Sequence, residues 1–191
     1  MGSNYCKNIT YENCVLSRFD AHQGVIGATL RNCTIHDVNA IGFGTFLIEN
    51  CEIHNSSLVR LRGDYGSSWE GEFIIRNTTL KVPSGSKTVE LFRGYNFRDH
   101  DFGYDCTMPE KISISGLRID DSAVTDPSYS GPKVFTPFPR KEKNVIEGYH
   151  YPATREVVLR GVSVSSGKPV GMSDNDYGFF NGTKLTIHPE L

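Results

Sequence analysis

Apolar and polar residues alternate along this chain in short runs that keep returning with one layout. Ile9-Thr-Tyr-Glu-Asn13-Cys14-Val-Leu16 sets it, and Ala28-Thr-Leu-Arg-Asn32-Cys33-Thr-Ile35 repeats it. Phe46-Leu-Ile-Glu-Asn50-Cys51-Glu-Ile53 and Phe73-Ile-Ile-Arg-Asn77-Thr78-Thr-Leu80 follow. Two looser copies are Ile112-Ser-Ile-Ser-Gly116-Leu117-Arg-Ile119 and Val157-Val-Leu-Arg-Gly161-Val162-Ser-Val164, and Leu185-Thr-Ile187 is a last fragment. In each copy the first and third residues are apolar and their neighbours mostly polar, the period-two signal of a strand with one buried face. Asn or Gly then turns the chain, because both tolerate the left-handed conformation. The turn shifts the phase by one, so that the next residue and the one two beyond it point inward again.

The turn positions 13, 32, 50, 77, 116 and 161 lie 19, 18, 27, 39 and 45 residues apart. The short spacings match one small coil of a solenoid, and the long ones are coils with insertions, which in stacked architectures collect on one face. The expected fold is all-β: a right-handed parallel β-helix of about six to seven coils, with 9–16, 28–35, 46–53, 73–80, 112–119 and 157–164 as in-register parallel strands. Residues 1–191 form one domain, and 120–156 is expected to be a long insertion. Asn13, Asn32, Asn50 and Asn77 should stack as a ladder of side-chain amides. The repeat is already running at Ile9, with no room before it for a cap. The expectation is therefore that this is the C-terminal part of a longer β-helix, or that the first coil joins another copy as a homo-oligomer.

Five cysteines cannot all pair within one chain, and no CxxC occurs. Cys14, Cys33 and Cys51 sit on the repeat, so they are expected as reduced, buried thiols in one column, with Cys6 and Cys106 outside it. The net charge of −2 gives no basic excess for nucleic acid, and no apolar run reaches the roughly 18 residues of a membrane helix. The Asn-x-Ser/Thr sequons at Asn8, Asn32, Asn55, Asn77 and Asn181 are read as by-products of turn and strand composition. The segment MGSNYC has no charged region followed by an apolar one, so no signal peptide is visible.

The Asn ladder and the coil lengths resemble the pectin-lyase-like β-helix superfamily. More narrowly, Ser17-Arg-Phe-Asp-Ala-His-Gln-Gly24, Asn39-Ala-Ile-Gly42, Leu61-Arg-Gly-Asp-Tyr-Gly66, Glu72-Phe-Ile-Ile-Arg-Asn77 and His100-Asp-Phe-Gly-Tyr104 are similar to bacterial β-helix repeat proteins of polysaccharide-handling species. The resemblance extends to about Asp121 and implies a fold and a carbohydrate setting (secreted, periplasmic or cell-surface), without an assigned reaction. The Asn-Thr-Asp, Gly-His-Gly and Arg-Ile-Lys of pectin-cleaving hydrolases are missing. Asp120-Asp121 is a bare acidic pair without those companions.

Three segments carry candidate chemistry. Arg18, Asp20 and His22 fall on one side of an extended segment, followed by Gln23. They read either as an acid, base and cation row for sugar binding or as a solvated face with a local ion pair. Arg60, Arg62, Asp64 and Trp69 with Glu70 lie in and around a Gly- and Ser-rich insertion. Trp69 there reads either as a sugar-stacking platform or as loop packing. Glu90, Arg93 and the run Arg98-Asp-His100-Asp101 come next, in a salt-bridged loop whose spacing matches no metal signature. If Arg62 and Arg93 align in successive coils, an acid such as Asp64 or Glu90, or an acidic sugar, must lie between them. The weak catalytic candidates are Asp20, His22, Asp64 and Glu90. The substrate-binding candidates are Arg18, Arg60, Arg62, Trp69, Arg93 and His100. No cofactor or metal is implied.

Two function classes follow. One is a carbohydrate-active β-helix, a lyase or a hydrolase on a polysaccharide or oligosaccharide, with acidic ones among the candidates. A hydrolase needs two carboxylates about 5 Å or 6.5–9.5 Å apart. The other is a non-catalytic scaffold or glycan-binding module of a surface or tail-fibre protein.

Overall fold

The computed structural model describes residues 2–21, 24–62, 68–94, 107–138 and 152–190. The secondary structure of these residues is strands and turns, and the strands come in threes. The first coil contributes β1 (Gly2–Ser3), β2 (Lys7–Glu12) and β3 (Val15–Leu16). The next contributes β4 (Phe19–Ala21), β5 (Ile26–Arg31) and β6 (Thr34–Ile35). Then come β7 (Val38–Ala40), β8 (Gly42–Glu49) and β9 (Glu52–His54), followed by β10 (Val59–Leu61), β11 (Trp69–Arg76) and β12 (Thr79–Lys81). After these lie β13 (Glu90–Arg93), β14 (Lys111–Ser115) and β15 (Arg118–Asp120), then β16 (Lys133–Phe135), β17 (Glu156–Arg160) and β18 (Ser163–Val164), and last β19 (Lys184–His188).

Every strand pairs in parallel with the strand three later, except that β19 follows β17 directly. The result is three all-parallel sheets: sheet A in the order β1-β4-β7-β10-β13-β16, sheet B in the order β19-β17-β14-β11-β8-β5-β2, and sheet C in the order β18-β15-β12-β9-β6-β3. This connectivity is that of a parallel β-solenoid. Each repeat copy supplies one strand to sheet B and one to sheet C, bent apart at its Asn or Gly. Sheet A, with strands of only two to four residues, was not separable in the sequence. Its strand β16 lies inside 120–156.

The corner between sheets B and C is the same in every coil. Asn13, Asn32, Asn50, Asn77, Gly116 and Gly161 all have φ between 47° and 64°. The amide N–H of each donates to the next rung, as in Asn32 to Glu49 at 3.0 Å and Gly116 to Arg160 at 2.9 Å. Asn32 Nδ2 donates to Asn13 Oδ1 at 3.2 Å, and Asn50 Nδ2 to Asn32 Oδ1 at 3.3 Å. Just inside this corner Cys33 and Cys51 are buried and Cys14 partly so, all as free thiols. Burial pushes the Cys51 thiol up to about 11.

Inward side chains align by register into columns: Ala28, Phe46, Phe73, Ile112 and Val157 in one, and Leu30, Ile48, Ile75, Ile114 and Leu159 in another. Full burial contributes about 1.5–3 kcal/mol for each large member. An aromatic file threads the coils, with Phe19, Phe46, Phe73, Phe92, Phe135 and Phe180 in sequence at centroid separations of 4.3–6.2 Å.

The B-to-C corner never varies in length, so extra residues go to the other two corners. Long connections leave sheet A for sheet B between β13 and β14 and between β16 and β17, and sheet C for sheet A between β15 and β16.

Candidate functional site

Of the charged residues singled out in the sequence, sheet A carries Asp20, Arg60, Glu90 and Arg93, and Arg18 and Arg62 flank its strands. Register places Asp20, Asn39, Arg60 and Arg93 in one outward row across β4, β7, β10 and β13. Arg93 therefore stacks on Arg60, and Arg62 falls outside the strands. Each of the stacked cations has an acidic partner. Arg93 donates to Glu90 Oε2 at 2.9 and 3.2 Å, and Arg60 Nη1 lies 3.7 Å from Asp37 Oδ2. Asp20, only 7 % exposed, is held by Arg18 Nη2 and Arg62 Nη1, each at 3.1 Å. The carboxylates of Asp20 and Glu90 are thus committed to neighbouring guanidinium groups. His22, Asp64 and His100 lie outside the described residues, as do Gln23, Arg98, Asp99 and Asp101.

Trp69 requires a correction. It is fully buried at the start of β11, its ring 5.4 Å from Phe46 and 5.1 Å from Phe73, and Nε1 donates to the Gly44 carbonyl at 3.1 Å. Its partner in register is Gly42, where an added Cβ would sit 3.1 Å from the indole. A glycine one rung below makes room for the ring inside the solenoid. No face of Trp69 is left for a sugar.

The Asp120-Asp121 pair is also structural. Asp121, 1 % exposed, accepts from Tyr129 OH at 2.8 Å, Ser166 N at 2.8 Å and Ser166 Oγ at 2.5 Å. Burial opposes its ionisation, but the donors from Ser166 and Tyr129 outweigh it and hold the carboxyl below the usual range. The Asp121 carboxylate ties the connection before β16 to the segment after β18.

An open groove lies on the outer face of sheet B, at the end of its strands where the long connections return. Its volume is about 400 Å³. Gly44 and Gly71 form the floor, paired in register with φ of +87° and +125°. Beside the floor runs an in-register row of Thr45, Glu72, Lys111 and Glu156. Glu110 and Arg155, the residues immediately before β14 and β17, form the rim. One extra residue in β8, opposite Gly27, makes a bulge at the groove's end, a common device for re-aiming side chains near sites.

Most of the groove's charges are paired. Lys111 Nζ lies 3.1 Å from Glu156 Oε2, and Arg155 Nη1 lies 3.0 Å from Glu110 Oε1. The Lys111 ammonium beside Glu156 holds that carboxyl below the usual range. Glu72 accepts a hydrogen bond from Thr45 Oγ1 at 3.2 Å and makes no ion pair among the described residues.

Of the charged groove residues only Glu72 falls in a stretch singled out in the sequence, the Glu72-Phe-Ile-Ile-Arg-Asn77 that carries the family resemblance. A weak signal existed. The position just before the first apolar residue of the later copies reads Glu72, Lys111, Glu156 and Lys184, alternating in charge as stacked strands require. Among the described residues no group of three or more His, Cys, Asp or Glu side chains could hold a metal ion. No helix of the described residues is long and apolar enough to cross a membrane. Comparison with known protein families, curated proteins and solved structures finds no match to this chain.

Proposed function

We propose that this protein is a right-handed parallel β-helix of the pectin-lyase-like kind that binds a polysaccharide along the sheet B groove without cleaving it. The observation that carries the reading is the groove itself. Gly44 and Gly71 put no side chains into it, and a row of hydroxyl, carboxylate and ammonium groups stands beside them at rung spacing. Exposed polar rows of this kind match the many hydroxyls of a sugar chain. A right-handed winding is the default for parallel strands joined by crossovers. A bacterial cell surface or exterior is the setting that fits such a partner.

Binding is favoured over hydrolysis by the state of the acids. A glycosidase needs one carboxyl protonated near neutral pH to release the leaving group. Glu156 is shifted the opposite way by Lys111, Glu110 pairs with Arg155, and Asp20 and Glu90 on sheet A are engaged by arginines. The assay is a glycan panel scored in parallel for binding, reducing-end release and the ultraviolet absorbance of unsaturated uronates. Binding without either product is expected. Absence of binding to every glycan at millimolar concentration, or turnover of any of them, refutes the proposal.

A further inference from the structure

The charge pattern of the groove specifies its ligand class more narrowly, provided that it binds glycans at all. We infer that it takes an uncharged, hydroxyl-rich glycan and turns away uronate-bearing ones, and that Glu72 is the residue that discriminates. This departs from the acidic sugar anticipated from the arginines in the sequence.

The groove holds three carboxylates, Glu72, Glu110 and Glu156, against two cations, Lys111 and Arg155. Both cations are engaged, Lys111 with Glu156 at 3.1 Å and Arg155 with Glu110 at 3.0 Å. Lys111 stands in register between Glu72 and Glu156 and pairs with Glu156. Among the described residues that leaves Glu72 with a neutral partner, the Thr45 hydroxyl at 3.2 Å. Glu72 stands next to Gly71 and in register with Thr45, so it lines the same stretch of groove as the two glycines. A carboxylate accepts hydrogen bonds and donates none. It suits sugar hydroxyls and repels a sugar carboxylate. The sheet A arginines do not offset this, because Arg62 is turned to Asp20 and Arg93 to Glu90.

Two carboxylates about 5 Å apart at the dielectric constant of water repel enough for roughly a fourfold difference in affinity, and for more where the site excludes water. The test uses matched oligosaccharides that differ only at C6. Hexamers of β-1,4-linked glucose and α-1,4-linked galactose are compared with their C6-carboxylate counterparts by calorimetry. The proteins are the 191-residue chain and its Glu72→Gln variant, which keeps the side chain's size and its hydrogen bond. Circular dichroism confirms that both are folded.

The expected result is that at least one neutral hexamer binds about fourfold or more tightly than its carboxylate counterpart at low salt. That ratio should fall towards one in Glu72→Gln, and also in the unchanged chain at ~0.5 M salt, where screening shortens the reach of charge. If the carboxylate forms bind as well as the neutral ones, or if Glu72→Gln leaves the ratio unaltered, the discrimination is overturned while glycan binding stands. If no hexamer binds to either protein, the discrimination falls, and the glycan panel decides whether glycan binding falls with it.

Discussion

Replacing Gly71 by Ala should destabilise the solenoid far more than the same change at Gly85, although both glycines have positive φ. At Gly71, φ is +125° and a Cβ would lie 2.4 Å from the Gly44 carbonyl oxygen and 3.0 Å from that residue's N and C. All three are backbone atoms of the neighbouring rung, so neither strand can yield without losing ladder hydrogen bonds. The sparsely allowed dihedral costs about 1–3 kcal/mol. Forcing an extra carbon into a packed rung adds another ~1–3 kcal/mol. A total of about 2–6 kcal/mol is expected. At Gly85, φ is +81° and nothing lies within 4 Å of the added carbon. Only the dihedral contributes there, at about 1–2 kcal/mol. Urea unfolding followed by circular dichroism measures both. With a slope of ~2 kcal/mol per molar urea, Gly71→Ala should lower the midpoint by about 2 M and Gly85→Ala by under 1 M. The Gly71 variant should also lose groove binding, since the floor must move. Equal midpoints for the two variants would falsify the claim that close inter-rung approach, and not the dihedral alone, sets the glycine requirement.

Other perturbations test separate parts of the structure. Asn50→Gly keeps the left-handed turn but loses the amide that donates to Asn32, so it should cost about 1 kcal/mol. Asn50→Ala must also bear the dihedral and should cost about 1–2 kcal/mol more; a thermal melt that ranks them in reverse contradicts the ladder. Peptide-resolved alkylation of the native chain at pH 8 should label Cys6 and Cys14 well before Cys33 and Cys51, because the latter two are buried and the Cys51 thiol is pushed up to about 11. For Asp121, the folded carboxyl lies below its unfolded value, so its contribution is present above about pH 4 and is lost as pH falls through the folded value. Asp121→Ala should cost about 2–4 kcal/mol at pH 7, by stranding the Ser166 and Tyr129 donors, and should flatten that stretch of the acid limb. An unchanged pH profile would show that the carboxylate is not the tie between those segments.

The solenoid was legible in the chain alone, because its defining features are local. Each copy packs two strands, a left-handed Asn or Gly and a phase shift into about eight residues, and repetition of that unit forces parallel stacking. Sheet A escaped that reading because three residues are too few to show alternation, and Phe19-Asp-Ala21 or Val38-Asn-Ala40 carries no turn signal of its own. Trp69 was misread for a related reason. Its neighbours in sequence are polar and small, but its environment is set by Gly42, Phe46 and Phe73 on its own and adjoining strands. The pairing of Arg62 with Asp20 across 42 residues, and of Lys111 with Glu156 across two unequal connections, depended on inter-coil register. The groove is likewise a product of stacking. Thr45, Glu72, Lys111 and Glu156 come from four strands, and only the 4.8 Å rung spacing common to parallel sheets aligns them into one surface.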